Sequence, residues 1–221
     1  MEIEKINKVE KLIFMAILLM ALFSLLNIFD FRFKETKINF AGLTIVIGVA
    51  MYFVVLAMKK TEDLLNFKMI SRALQDKNLV VLCLIPLALN IICLVGAKLF
   101  LPEFVEHLKM RTNFLAVNQI PLLIIQLAIA AIGEEIAWRG FFQNQLSAVL
   151  PFLPALIVTA ALFAICHHTS GSLSVVLYDM LFIFINALLY GFIFRKVNNI
   201  FISSLAHFMA NLSGIIFIFF L

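Results

Sequence analysis

The chain has 221 residues, 64% of them hydrophobic and only 14% charged, with a mean hydropathy of +1.09. A soluble domain is about half apolar and covers its core with polar surface, so a water-soluble globular fold is excluded and the length suits one membrane domain. The net charge of +4 sits mostly at the ends of apolar runs, which is a topology signal and not a nucleic-acid footprint.

A helix that spans a bilayer needs about 20 apolar residues. The first such run, 12–29, follows several lysines and has the outline of a signal peptide. It is too long for one, lacks a small-residue cleavage site, and is followed by Asp30-Phe-Arg-Phe-Lys34, so we read it as an uncleaved first helix. Further runs lie at 38–58, 79–101, 119–139, 151–168, 173–194 and 199–221. The expected fold is therefore all-α: a polytopic transmembrane helix bundle of about seven spanning helices. Between the second and third runs, Leu64, Leu65, Phe67, Ile70 and Leu74 alternate with charged residues in the loop Lys59–Asn78, a pattern that suits a helix lying on the membrane surface. The fourth run is the least regular: it ends in charged residues and is expected to continue as a second, interfacial segment to about Leu150.

Positive residues set the orientation. With the N-terminus inside, ten lysines and arginines fall in inner segments (Lys5, Lys8, Lys11, Lys59, Lys60, Lys68, Arg72, Lys77, Arg195 and Lys196). Five fall outside (Arg32, Lys34, Lys37, Lys109 and Arg111). We expect a multi-pass protein of the plasma membrane with a cytoplasmic N-terminus. We divide it into residues 1–118, the N-terminal helices with an amphipathic inner loop, and 119–221, a catalytic core within one continuous membrane domain. Cys83, Cys93 and Cys166 all lie in apolar runs without C-x-x-C spacing, so they read as small buried hydrophobes.

Between Arg111 and Arg195 the only acidic or basic residues are Glu134, Glu135, Arg139 and Asp179. An ionisable group at membrane depth is costly and needs a partner or a task. Glu135 and Arg139 are four apart and share a helical face, so they can pair. Glu134 is rotated from Glu135 by about 100° and stays available as a base for water. All three could equally form one ion cluster that holds helices together. Phe163 and His167 share another face, with His168 directed toward the helix end. Ser203, His207 and Asn211 form a polar stripe at four-residue spacing. Such a stripe serves interhelical hydrogen bonding, or aims an imidazole and an amide at one oxyanion. Together the three stretches supply a base, a water-orienting partner and oxyanion donors, which fits amide hydrolysis. The chain has no H-E-x-x-H, no G-x-S-x-G and no intramembrane aspartate pair; Asp179 reads as a helix-packing residue.

These stretches resemble the CPBP family of intramembrane proteases, which includes CAAX prenyl endopeptidases, bacteriocin-processing and immunity proteins, and Abi proteins. The resemblance rests on Glu134-Glu135-Ile136-Ala137-Trp138-Arg139, Phe163-Ala164-Ile165-Cys166-His167 and His207-Phe208-Met209-Ala210-Asn211, in that order. Gly191 and the polar turn Val197-Asn198-Asn199 also look like the family. The likeness runs from about Gln119 to the C-terminus. It implies that Glu134 activates water with His167, that His207 and Asn211 form the oxyanion site, and that Glu135, Arg139 and Phe163 support them. The resemblance leaves the use of a metal open; no required cofactor is the favoured reading, because Glu134 as the base cannot easily also be a ligand. The alternative is a zinc site on Glu134, His167 and His207. The expected substrate is a hydrophobic peptide at the lipid bilayer, lipidated or cut from a secreted precursor. Two other functions compete: a non-catalytic immunity or scaffolding member of the family, and a small proton-coupled transporter, which the lack of an internal repeat disfavours.

Overall fold

The computed structural model describes residues 2–29, 31–33, 36–59 and 64–220. Asp30, Lys34 and Lys60, used above in the topology, lie outside them. The apolar runs become α1 (Glu2–Leu26), α2 (Phe40–Lys59), α4 (Lys77–Phe100), α6 (Ile120–Glu135), α8 (Phe152–Cys166), α9 (Leu173–Val197) and α10 (Ile200–Phe220). Six of the helical stretches are long and apolar enough to cross a membrane; the seventh, α8, is shorter at 15 residues. The chain is thus an integral, multi-pass helical membrane protein. Its outward faces carry large exposed apolar residues such as Phe14, Val46, Ile92, Ile129 and Leu153, as a surface bathed in hydrocarbon requires.

Short elements sit between the spans. β1 (Arg32–Phe33) and β2 (Thr36–Lys37) form a two-residue antiparallel pair. The surface helix expected in the loop Lys59–Asn78 is α3 (Lys68–Gln75). Phe67, just before it, stacks on Phe201 of α10 with ring centroids 3.8 Å apart. Asp76 then starts α4, its Oδ1 accepting from the backbone N–H groups of Asn78 and Leu79. One element was not foreseen: α5 (Glu103–Arg111), in what reads as a loop between the third and fourth runs.

The segment that bears the acidic pair is irregular for a reason beyond its charge. After Glu135, α6 widens into a π-helix at Ile136–Gln143 and closes as a short α7 (Asn144–Leu146). All eight π-helical residues are buried. A π segment is rare and recurs at functional sites. Here α2 packs against it, and the approach is close: a Cβ on Gly48 would fall 2.6 Å from the Cβ of Ala137. On the other side Arg139 Nη2 donates to the carbonyl of Ala187 at 3.0 Å, and Gln143 Nε2 donates to that of Gly191 at 3.1 Å. These residues are four apart on each element, so the π-helix and α9 are held in register. α10 closes the bundle against α4, α6 and α9. Asn198 adopts the left-handed conformation at the α9 C-terminus (φ 48°), which asparagine tolerates. Asn199 then accepts from the Ile202 N–H and donates to the Asn66 carbonyl.

Candidate active site

The three motif-bearing stretches meet at one place. Glu134 and Glu135 end α6, His167 caps the C-terminus of α8, and His207 lies mid-way along α10. The Glu134 Oε2 is 3.7 Å from Nε2 of His167 and 3.7 Å from Nε2 of His207. Both rings thus turn the same nitrogen toward one carboxylate, and their Nδ1 atoms are tied elsewhere. His167 Nδ1 lies 2.8 Å from the carbonyl of Phe163, to which it donates. That tautomer leaves its Nε2 lone pair facing the cavity. His207 Nδ1 lies 3.0 Å from Glu135 Oε1.

Glu135 is fully buried and pairs with Arg139 Nη1 at 2.9 Å, as the four-residue spacing requires. It also takes a contact that the sequence does not announce, the one to His207 from α10. The Arg139 guanidinium lies over the Phe163 ring at 4.7 Å and the Tyr190 ring at 5.4 Å. Tyr190 stacks flat on His207, with centroids 4.4 Å apart and planes 17° apart. The imidazole of His207 is therefore fixed by a carboxylate at one edge and an aromatic ring on its face. Ser203, first in the polar stripe, is buried; its hydroxyl donates to the Ile200 carbonyl and also lies within reach of the Glu135 carboxylate.

Glu134, His167, His207 and Asn211 all line a cavity of about 980 Å³. His168 lines it too, beyond the end of α8. Trp138 and Phe163 form part of its inner wall, and Phe114, Leu115, Ile215 and Ile218 give it an apolar side. Several polar residues that sequence reasoning passed over also face it: Asn27, Asn90, Gln126 and Asn186. Asn90, Gln126 and Asn186 are single amides on apolar helices and Asn27 follows the end of α1, so only their place in the bundle marks them. Asn27 donates to the Cys166 carbonyl and ties α1 to the turn after α8. Cys166 itself donates to the Ser24 hydroxyl at 3.0 Å. All three cysteines are free.

Asp179, read above as a packing residue, ties α9 to α5. It accepts a hydrogen bond from Arg111 and lies 3.8 Å from His107 Nε2. His107 also pairs with the Thr169 hydroxyl at 2.8 Å. Burial pushes the His107 imidazole below its ordinary range, with Asp179 opposing that shift and Arg111 and His168 adding to it.

Among the described residues no group of three or more His, Cys, Asp or Glu side chains has the placement needed to hold a metal ion. The arrangement can hold a water molecule between a carboxylate and an imidazole lone pair, and present polar groups to an adjacent carbonyl.

Residues 116–213 match the family model described as type II CAAX prenyl endopeptidase Rce1-like. Neither a curated protein nor a solved structure matches the chain.

Proposed function

We propose that the chain is a glutamate-dependent intramembrane endopeptidase acting on a hydrophobic peptide, a reading supported by the match of residues 116–213 to the family model of Rce1-like type II CAAX prenyl endopeptidases. The observation that carries the mechanism is the convergence of two Nε2 atoms on Glu134, 3.7 Å from each. In this reading Glu134 takes the proton of a water that the His167 lone pair helps orient. The hydroxide attacks the scissile carbonyl, and the proton passes from Glu134 to the departing amine. Asn211 and His207 support the oxyanion. His207 donates a hydrogen bond from Nδ1 to Glu135, so it donates from Nε2 only when it carries both ring protons. Glu135 and Arg139 hold His207 in place, and Phe163 packs against both histidine rings at 4.5 and 6.1 Å. The cavity's size and apolar walls favour a peptide that enters from the lipid phase. A secreted precursor or leader sequence fits that description, and a prenylated chain is suggested by the family description alone.

The test compares the purified protein with Glu134→Gln and His167→Ala on a library of hydrophobic and lipidated peptides, read by mass spectrometry with and without a chelator. Loss of a positioned base typically lowers turnover by about 10²–10⁴-fold, and both variants should fall that far. Cleavage should persist in chelator. Activity abolished by chelation and restored by zinc would overturn the metal-free mechanism while leaving a protease. A cellular phenotype indifferent to Glu134→Gln would favour a non-catalytic member of the family.

A further inference from the structure

Among the described residues, two side chains that line the cavity carry a buried polar atom with no hydrogen-bond partner. One is Glu134, whose Oε2 faces the two imidazoles. The other is Asn186 on α9, whose Oδ1 is orphaned although the residue keeps only 9% exposure. An unpaired amide in a low-dielectric interior is costly, and one that persists calls for a use. Two other amides that face the cavity serve the fold. Asn90 Nδ2 donates to the Ala210 carbonyl at 2.6 Å and ties α4 to α10, and Gln126 Oε1 accepts from the Ala116 N–H at 2.9 Å. The Asn186 Oδ1 has no such task.

The place of Asn186 is nevertheless fixed. The carbonyl of the next residue, Ala187, accepts from Arg139 Nη2 at 3.0 Å, and Arg139 also pairs with Glu135. One turn further on, Tyr190 stacks on His207. The backbone that carries Asn186 is thus locked both to the acidic pair and to the ring that faces Glu134. Four residues of helix rise about 6 Å, which sets the distance along α9 from Asn186 to Tyr190.

We propose that Asn186 is a substrate-binding residue whose carboxamide pairs with one backbone peptide group of the bound chain, about two residues from the scissile bond. The proposal rests on the proteolytic reading for the word scissile, but the contact itself does not require turnover. A carboxamide offers an acceptor and donors in one plane, the complement of the N–H and C=O of a peptide group. A chain that enters from hydrocarbon in extended form leaves its own N–H and C=O groups without partners. The walls of this cavity are helices, whose backbone groups are used internally, so a side-chain amide has to supply the partner. An extended chain advances about 3.3 Å per residue, so about 6 Å along α9 corresponds to two residues.

The experiment uses full-length protein carrying Glu134→Gln, which separates binding from cleavage. The probe is an acetylated, amidated apolar octapeptide of non-repeating sequence, together with a set in which one peptide bond at a time is an ester. An ester keeps the shape of the chain and deletes one N–H. Binding is read by fluorescence of Trp138, the chain's one tryptophan, which lines the same cavity. One ester should weaken binding by about three- to ten-fold, the usual worth of a hydrogen bond. Adding Asn186→Leu should weaken the all-amide peptide by a similar factor and erase the effect of that one ester, with the rest of the profile unchanged. Without peptide, the Asn186→Leu protein should melt at the temperature of its parent or higher, since it loses an orphaned polar group. Asn186→Ala, which adds no bulk, should give the same binding profile. A structural amide satisfied by water would do the reverse: Asn186→Leu would lower the melting temperature and weaken every peptide without changing the ester profile. That result, an ester profile indifferent to Asn186, or no binding of the octapeptide overturns the proposal. Where the wild type cleaves the octapeptide, the sensitive ester should fall about two residues from the cut, and one at another distance overturns the placement. An Asn186-dependent ester effect with no cleavage by the wild type would leave the contact standing and count against the protease.

Discussion

Glu135 serves two partners from the centre of the bundle, Arg139 on its own helix at 2.9 Å and His207 on α10 at 3.0 Å. Those tasks can be separated. Removing one member of a buried ion pair costs about 3–5 kcal/mol, whereas replacing both with apolar residues is often neutral. Glu135→Leu alone should therefore lower thermal stability in detergent sharply, and Glu135→Leu with Arg139→Leu should recover much of it. Activity should stay low in both, because His207 has lost the acceptor of its Nδ1 proton. Recovery of turnover together with stability would reduce Glu135 to a structural residue. His107 makes a second residue-scale prediction. Its imidazole is held below the 6.5 of an unperturbed histidine, chiefly by burial. Above pH 6.5 the group is neutral whether folded or unfolded and leaves stability unaffected. As pH falls below that value the unfolded chain takes up the proton first, so stability declines toward the folded pKa. His107→Gln should flatten this acid-side decline in a melting series from pH 8 to pH 5. An unchanged slope would show that other groups govern it. The sequence made Glu134, His167 and His207 legible because ionisable residues are so scarce in apolar helices. It could not reveal the Glu135–His207 bond, which joins positions 72 residues apart, or the partner of Asp179, because α5 does not stand out as a helix.

At the scale of elements, the π-helix Ile136–Gln143 depends on close neighbours. Its conversion from α-helix leaves no mark in hydrophobic periodicity, since every residue in it is buried. The sequence therefore showed irregularity after Glu135 without its cause. Gly48 on α2 shows what holds the segment: a Cβ there would meet the Cβ of Ala137 at 2.6 Å and its Cα at 2.7 Å. Neither atom is the end of a flexible chain, so one helix must move. Overpacking of this kind typically costs about 1–3 kcal/mol. Gly48→Val should lower the melting temperature and reduce turnover, because displacing Ala137 shifts Glu134 and Glu135, three and two residues away. The paired variant Gly48→Val with Ala137→Gly should restore part of both. If Gly48→Val has the stability and activity of the wild type, the α2 contact does not position the acidic pair.

For the whole molecule, the run of apolar segments was readable in the sequence, and what remained hidden was that one of them is short. The 15 residues of α8 rise about 22 Å, less than the roughly 30 Å of hydrocarbon in a bilayer. A helix of that length does not cross by itself, and its C-terminal cap, His167, meets Glu134 inside the bundle. The remaining distance can be covered in two ways. If the turn 167–172 completes the crossing, α9 begins on the far side, the chain crosses seven times, and its termini lie on opposite faces. If α8 dips in and returns, the count is six and the termini share a face. α8 packs along α9, as successive antiparallel spans do, and this favours the full crossing. With a full crossing, the ten-to-five distribution of lysine and arginine predicts an N-terminus inside. Small tags at both ends, probed by protease on sealed right-side-out vesicles, test this directly. The C-terminal tag should be removed and the N-terminal tag protected until the membrane is opened. Both tags protected, or both removed, would make α8 re-entrant and reverse the side assigned to every later loop.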